Sequence, residues 1–147
     1  YKPLTDQLVC FQGRSIDDRE PRYRTEGQRS IYVPWVDLKP RRLYIVEGPF
    51  DVFSFTRVDP NVVAMLGIQP SEHQINELLE LGLECDTKEL VVWFDTGATE
   101  EAYALQAKLQ PHIRTHVLIH SGSNKDPGSM SQTEIQAVLT EFDGSER

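Results

Sequence analysis

The chain has 147 residues, 39% hydrophobic and 26% charged, which excludes an intrinsically disordered protein and indicates one folded domain with room for a small appendage. Its apolar runs stay well below the ~20 residues that a membrane-spanning helix needs, so we predict no such helix in this chain. The formal net charge of −8 argues at first against a nucleic-acid-binding protein.

The charges are divided unevenly along the chain. Residues 1–45 carry nine Lys/Arg against six Asp/Glu, a net charge of +3, whereas residues 46–147 carry six against seventeen, a net charge of −11. This asymmetry predicts a basic arm beside an acidic body. An acidic body is usually a solvated surface, but it can also hold a carboxylate cluster through which divalent cations approach phosphate.

The cysteines and the first residue indicate the cellular compartment and whether the chain is a fragment. Cys10 and Cys85 lack the C-x-x-C spacing of a zinc ribbon or a redox motif, so we predict two free thiols in a cytoplasmic protein. No signal peptide is recognisable. Because the chain begins with Tyr1 rather than Met, we expect it to be a fragment of a longer protein.

In the first 40 residues the pattern predicts short strands and little other regular structure. Residues 8–12 are typical of a strand, which ends at Gly13, and residues 14–29 form an arginine-rich polar stretch without helical or strand periodicity. Residues 31–33 predict a second short strand. We therefore expect residues 1–40 to form a small basic N-terminal β segment.

After residue 40, predicted buried strands alternate with predicted helices. A continuous apolar run predicts a strand at residues 43–46, and largely apolar segments predict further strands at residues 61–65, 90–94 and 115–120. Apolar residues at helical spacing predict helices at residues 50–56, from Ser71 onward, at 98–109 and at 131–142. Two of these helices begin with the sequence of a capping box, at Ser71 and Ser131. The alternation predicts an α/β domain over residues 41–147, with a compact parallel sheet of about four strands flanked by helices.

Four acidic residues fall where the predicted strands end. Glu47 follows the first of these strands, Asp95 the third and Asp126 the fourth, while Asp51 begins the helix after Glu47. Because the carboxyl ends of parallel strands meet at one edge of a sheet, we expect the four carboxylates to share a rim. Each acid alone could instead cap a helix or accept backbone amides. Four hard oxygen ligands at one rim suit Mg²⁺ or Mn²⁺, since buried carboxylates are costly unless they are paired or bound to metal.

The segments that carry these acids resemble the motifs of Toprim domains, in the form found in bacterial DNA primases. Residues 43–52 (LYIVEGPFDV) are similar to the E-G-x-x-D segment and residues 61–68 (NVVAMLGI) to V-V-A-x-L-G-T. Residues 92–95 (VWFD) lead into D-x-D, and residues 125–127 (KDP) are similar to the late D-P-D element. The upstream primase segment with G-R and P-K-Y is resembled by residues 11–14 (FQGR) and 21–23 (PRY).

The resemblance implies a fragment of a primase catalytic core, with a phage or a mobile element as a candidate source. It implies Mg²⁺-dependent nucleotidyl transfer that makes RNA primers on single-stranded DNA from nucleoside triphosphates in DNA replication, with a replicative helicase as a further candidate partner. Carried over by motif, Glu47 lies at the catalytic centre. The metal ligands would be Asp51, Asp95 and Asp126, and the contacts to nucleotide or template would be Arg14, Arg22, Gly48 and Lys125.

Two positions depart from the family pattern. The second acids of D-x-D and D-P-D are replaced by Gly97 and Gly128, which removes two carboxylates. Glu100 or Glu101, at the start of the next helix, is the nearest candidate to replace one of them. The departures leave open a non-catalytic Toprim module that binds nucleic acid or a replication partner, and a Toprim nuclease or topoisomerase. A Rossmann-like nucleotide binder is disfavoured, since no Gly-x-Gly-x-x-Gly follows a predicted strand.

Overall fold

A four-stranded parallel sheet with helices on both faces forms the body of the protein, and a two-stranded antiparallel hairpin precedes it. The structure, a computed structural model, describes residues 8–17, 20–21, 23–34, 36–37, 39–120 and 126–145. The strands are β1 (Cys10–Arg14), β2 (Tyr23–Gly27), β3 (Arg42–Val46), β4 (Val62–Ala64), β5 (Glu89–Val92) and β6 (Arg114–Val117). The helices are α1 (Pro49–Phe55), α2 (Glu72–Glu84), α3 (Thr99–Leu109) and α4 (Gln132–Ser145).

The parallel sheet has the order β4-β3-β5-β6, with β3 and β5 as its central strands. Side chains of β3 alternate between two hydrophobic layers. Leu43 and Ile45 pack with α2 and α3, whereas Tyr44 and Val46 pack with α1 and α4. Because β3 is buried on both faces, its sequence is continuously apolar after the first residue. The predicted α/β fold with about four parallel strands is confirmed.

The helices begin where the sequence predicts, although the strand ends differ by a few residues. Ser71 caps α2, accepting the Gln74 N–H, while the Gln74 side chain accepts the Ser71 N–H in return. Ser131 and Glu134 form the same reciprocal pair at the start of α4. The last two strands end at Val92 and Val117, earlier than their apolar runs. No helix among the described residues is long and apolar enough to cross a bilayer.

The N-terminal hairpin pairs β1 with β2 in antiparallel register, from Cys10 opposite Gly27 to Arg14 opposite Tyr23. The expectation that residues 14–29 hold no strand is wrong, because β2 lies within them. Most side chains of both strands are exposed. A strand that buries neither face has no reason to alternate apolar and polar residues, so its sequence carries no strand pattern.

The segment that follows the hairpin is attached by hydrogen bonds both to α2 and to the edge of the sheet. The carboxylate of Glu77 on α2 accepts the Ser30 hydroxyl at 2.8 Å and the Ile31 N–H at 3.2 Å. Tyr32 exchanges two backbone hydrogen bonds with Ala64 at the edge of the sheet, at 2.8 and 3.0 Å. The strand expected at residues 31–33 is reduced to this single bridge. The connection therefore fixes the hairpin beside the carboxyl end of β4.

Candidate metal centre

Three aspartates meet at the carboxyl edge of the sheet. Asp51 lies in the first turn of α1, Asp95 follows β5, and Asp126 precedes a short 3-10 turn at Pro127–Ser129. One carboxylate oxygen from each residue lies within 4.8 Å of the other two. The structure thus brings together the three residues that the sequence predicts as metal ligands, because β3 and β5 are neighbours and end at the same edge.

Backbone amides hold the Asp51 carboxylate in place from two sides. Its Oδ2 accepts the Gly48 N–H at 2.8 Å, and its Oδ1 accepts the Gly128 N–H at 2.9 Å. The Ser54 hydroxyl donates to the Gly128 carbonyl at 3.1 Å. A Cβ at position 128 would lie 2.7 Å from Asp51 Oδ1, so only glycine lets the two segments approach this closely. The link fixes the loop of Asp126 against α1.

The remaining donors also fit a divalent cation. Asp126 Oδ1 accepts the Ser129 N–H at 2.7 Å, which orients its carboxylate. Asp95 Oδ1 is buried and has no hydrogen-bond partner within the described part of the chain. A buried carboxylate oxygen without a partner is costly in a protein unless a cation approaches it. Three oxygen donors, one of them free of hydrogen bonds from the described residues, match the hard ligands and partial hydration that Mg²⁺ prefers.

Glu47 lies beside this group of three at the end of β3. Burial of the carboxyl, together with the negative charges of Asp95, Asp51 and Asp126, raises its pKa to about 7. The neighbouring charge of Glu101 acts in the same direction. Glu47 therefore titrates close to neutral pH, whereas an exposed glutamate would be ionised throughout that range.

Two of the aspartates, Asp51 and Asp95, have pKa values raised by the same two causes, burial and neighbouring negative charge. Burial raises the pKa of Asp51 to about 6, although the Gly48 and Gly128 amides partly oppose it. Burial and the charge of Asp126 raise the pKa of Asp95. Mutual repulsion of carboxylates in a partly dehydrated place is relieved either by protons or by a cation.

The raised pKa values predict that the metal-free protein loses stability as the pH rises from about 4 to about 7. In this window the folded state retains protons at Glu47 and Asp51 that the unfolded chain has released, so the free energy of unfolding falls with increasing pH. Thermal unfolding in EDTA should show a decline across the window that is shallower in Glu47→Gln. Glu80→Gln, at an exposed acid of α2, is the control. Identical slopes in Glu47→Gln and the unaltered protein would contradict the prediction.

A cleft of about 350 Å³ separates the hairpin from the rim of the sheet. One wall carries Gln12, Tyr23 and Thr25 of the hairpin, and the other carries Glu47 and its neighbours up to Pro49. The cleft thus opens on the carboxyl group whose pKa lies near 7.

Arg29 also lines this cleft, and the sequence does not single it out. Its guanidinium lies directly against Gly67, whose φ of +139° is a conformation that favours glycine. A side chain at position 67 would collide with the guanidinium. The only signal in the sequence is a glycine after the second buried strand, and it does not reveal which of several arginines it accommodates.

The predicted nucleotide contacts are only partly described by the structure. Arg14 is exposed, and its guanidinium lies over the Tyr23 ring at 5.7 Å and over the Phe50 ring at 5.2 Å from the centroids. This contact joins the hairpin to α1. Arg22 and Lys125 lie outside the described residues.

The two glycines that replace family acids have different surroundings. A Cβ added at Gly97 would have no heavy atom of the described residues within 4 Å, so the position is open, in contrast to the crowded position 128. Of the two glutamates considered as replacements, Glu101 is half-buried and its charge reaches Glu47, whereas Glu100 is exposed.

One of three comparisons with known proteins agrees with this geometry. Searches of curated proteins and of solved structures returned no significant match. A family model described as Toprim-like matches residues 44–130, which is more than half of the chain and contains Glu47 and all three aspartates. Toprim domains are found in primases, topoisomerases and nucleases, and they bind Mg²⁺ through acidic residues. The chain belongs to the Toprim-like family.

Proposed function

We propose that this chain is the catalytic core of a primase-type nucleotidyltransferase, which makes RNA primers on single-stranded DNA from nucleoside triphosphates. The observation that carries the proposal is a cleft with Glu47 on one wall and the hairpin on the other, lying beside the aspartate cluster. The hairpin favours a primase over a topoisomerase or nuclease, since residues 11–14 and 21–23 resemble the upstream primase segment. In this proposal residues 1–40 are a basic subdomain and residues 41–147 the Toprim domain.

In the proposed reaction the aspartates bind the metal and Glu47 transfers a proton. Asp51, Asp95 and Asp126 would hold Mg²⁺ or Mn²⁺, which supplies charge neutralisation and orientation of phosphate oxygens. Glu47 would accept or return a proton at the reacting hydroxyl, because its carboxyl lines the cleft beside the aspartate cluster. Gly48 donates its N–H to Asp51 and so maintains the orientation of that ligand.

Arginines on the hairpin side would bind the phosphates of nucleotide or template. Arg29 lines the cleft and lies against Gly67, whereas Arg14 lies outside the cleft lining, over the rings of Tyr23 and Phe50. A guanidinium offers planar, paired donors that match phosphate oxygens. Arg22 and Lys125 are proposed for the same role on their motif positions alone. A cytoplasmic location and a replicative helicase as a partner belong to the same proposal.

A second candidate function is a non-catalytic Toprim module that binds single-stranded nucleic acid. It is favoured by Gly97 and Gly128, which leave the cluster two carboxylates short of the family pattern. The packing of Gly128 against Asp51 also leaves no room for an acid at that position.

Primer synthesis on a single-stranded oligonucleotide template tests the proposal. With labelled nucleoside triphosphates and Mg²⁺ or Mn²⁺, we expect short RNA products whose yield falls at least ~100-fold in Glu47→Gln, the range for loss of a general acid or base. Glu80→Gln, which removes an exposed acid of α2, should leave the yield unchanged. Template binding without any product would support the binding module, and cleavage of the template would support a nuclease.

A further inference from the structure

A row of mostly exposed aromatic rings and one guanidinium runs from the hairpin across α1. We name it the aromatic ladder and define it, in order, as Tyr23, Arg14, Phe50, Phe53 and Tyr32. The Arg14 guanidinium lies 5.7 Å from the centroid of the Tyr23 ring and 5.2 Å from that of Phe50. The centroids of Phe50 and Phe53 are 6.1 Å apart, as are those of Phe53 and Tyr32. Each member of the ladder therefore contacts the next.

Three of the four rings of the aromatic ladder are exposed to solvent, whereas Tyr32 is half-buried and packs against the core. Tyr23 is 41% exposed, Phe50 51% and Phe53 52%. Scattered exposed apolar residues are ordinary, but a contiguous patch marks a surface that binds something. The contacts of Phe53 with Phe50 and with Tyr32 are edge-to-face, with interplanar angles of 87° and 81°, so these rings are not stacked face to face.

The position of the aromatic ladder relates it to the metal centre. Phe50 and Phe53 are three residues apart and share one face of α1. Asp51 and Ser54, on another face of the same helix, contact the loop of Asp126 through Gly128. A ligand lying along the aromatic ladder would therefore pass within one helix diameter, about 10 Å, of the aspartate cluster.

We propose that the aromatic ladder is a stacking platform for the bases of single-stranded nucleic acid, with Arg14 as the phosphate contact between them. This inference rests on the proposed action on nucleic acid. Aromatic faces accept any base, and a cation among them suits a chain that alternates bases with phosphates. A protein ligand would need an apolar patch but would have no use for the adjacent carboxylate cluster.

Binding of a fluorescein-labelled thymidine oligomer of about twelve nucleotides, followed by anisotropy in EDTA, tests the inference. An abasic oligomer of equal length carries the same phosphates without bases. We expect the thymidine oligomer to bind more tightly than the abasic one. The double variant Phe50→Ala/Phe53→Ala should weaken thymidine binding about 5- to 150-fold per lost ring and leave abasic binding unchanged.

Two further variants separate stacking from other effects. Phe50→Leu/Phe53→Leu retains apolar bulk and removes the aromatic faces, so we expect a loss comparable to that of the alanine pair. Tyr103→Ala removes a similarly exposed ring, 49% exposed, from α3 and should bind like the unaltered protein. Full binding by the leucine pair, or equal binding of the two oligomers, would overturn the inference.

A protein as the occupant of the aromatic ladder would give a different result. If the occupant is a second copy of the chain, the unaltered chain would self-associate in sedimentation experiments and the Phe50→Ala/Phe53→Ala variant would not. The two proteins would then bind the thymidine oligomer with equal affinity, and likewise the abasic oligomer. That outcome would also overturn the inference. Oligonucleotide binding is measured without metal, whereas primer synthesis requires it. A negative binding result would therefore overturn the stacking inference without deciding the primer-synthesis test.

Discussion

Replacing Asp95 with asparagine should weaken Mg²⁺ binding roughly 100-fold and at the same time stabilise the metal-free protein. The carboxylate supplies the buried oxygen that has no partner in the described residues, so its charge is the one that a cation would compensate most directly. Without metal that charge is penalised by burial and repelled by Asp126, both of which raise its pKa. Calorimetric titration with Mg²⁺ measures the first effect and thermal unfolding in EDTA measures the second.

The opposite signs make this variant informative. A mutation that merely damaged the fold would lower both metal affinity and stability. Glu80→Gln removes one negative charge from the exposed surface of α2 and should change neither quantity appreciably. An unchanged affinity in Asp95→Asn, or in the double variant Glu47→Gln/Asp95→Asn, would show that these carboxylates do not hold metal.

Restoring the two missing family acids should have unequal effects. Gly97→Asp places a side chain in open space, so we expect the protein to fold normally and to bind Mg²⁺ roughly tenfold more tightly, because a further carboxylate joins the rim. Gly128→Asp places a Cβ 2.7 Å from Asp51 Oδ1 and adds a like charge there. We expect this variant to lose about 1–3 kcal/mol of unfolding free energy and to bind metal less tightly. Urea unfolding and calorimetry measure the two quantities.

Alanine at the same positions separates crowding from charge. Gly128→Ala has the steric conflict without the carboxylate and should retain most of the destabilisation, whereas Gly97→Ala should be nearly neutral. If Gly128→Asp proved as stable as the unaltered protein, the close contact between Gly128 and Asp51 would not constrain the loop. The glycine at position 128 would then need another explanation.

Buried strands are the part of this fold that the sequence identifies well. Both faces of β3 and β5 are covered, so their sequences are almost entirely apolar and stand out from the polar segments around them. The exposed strand β2, with the sequence YRTEG, gives no such signal. Its pairing with β1 depends on backbone hydrogen bonds, which any sequence without proline can make.

The candidate site also contains residues that the sequence locates and one, Arg29, that it does not. Glu47, Asp95 and Asp126 could be located because each follows a predicted strand, and the topology of a parallel sheet brings strand ends together. The position of Arg29 depends on long-range contacts: α2 holds Ser30 through Glu77, and Gly67 leaves space for the guanidinium. Contacts between residues so distant in the chain leave no local pattern.

The bridge between Tyr32 and Ala64 has a consequence for how the protein can be divided. Strand β4 is the outermost strand on its side of the sheet, and these two backbone hydrogen bonds occupy part of its free edge. An uncovered edge strand is a template for pairing with other chains and hence for aggregation. A shortened protein beginning at residue 41 would lose this bridge together with the buried side chain of Ile31. The edge of β4 would then be free to pair with strands of other chains. We therefore expect the bridge at Tyr32 to limit pairing of β4 with the same strand of another copy.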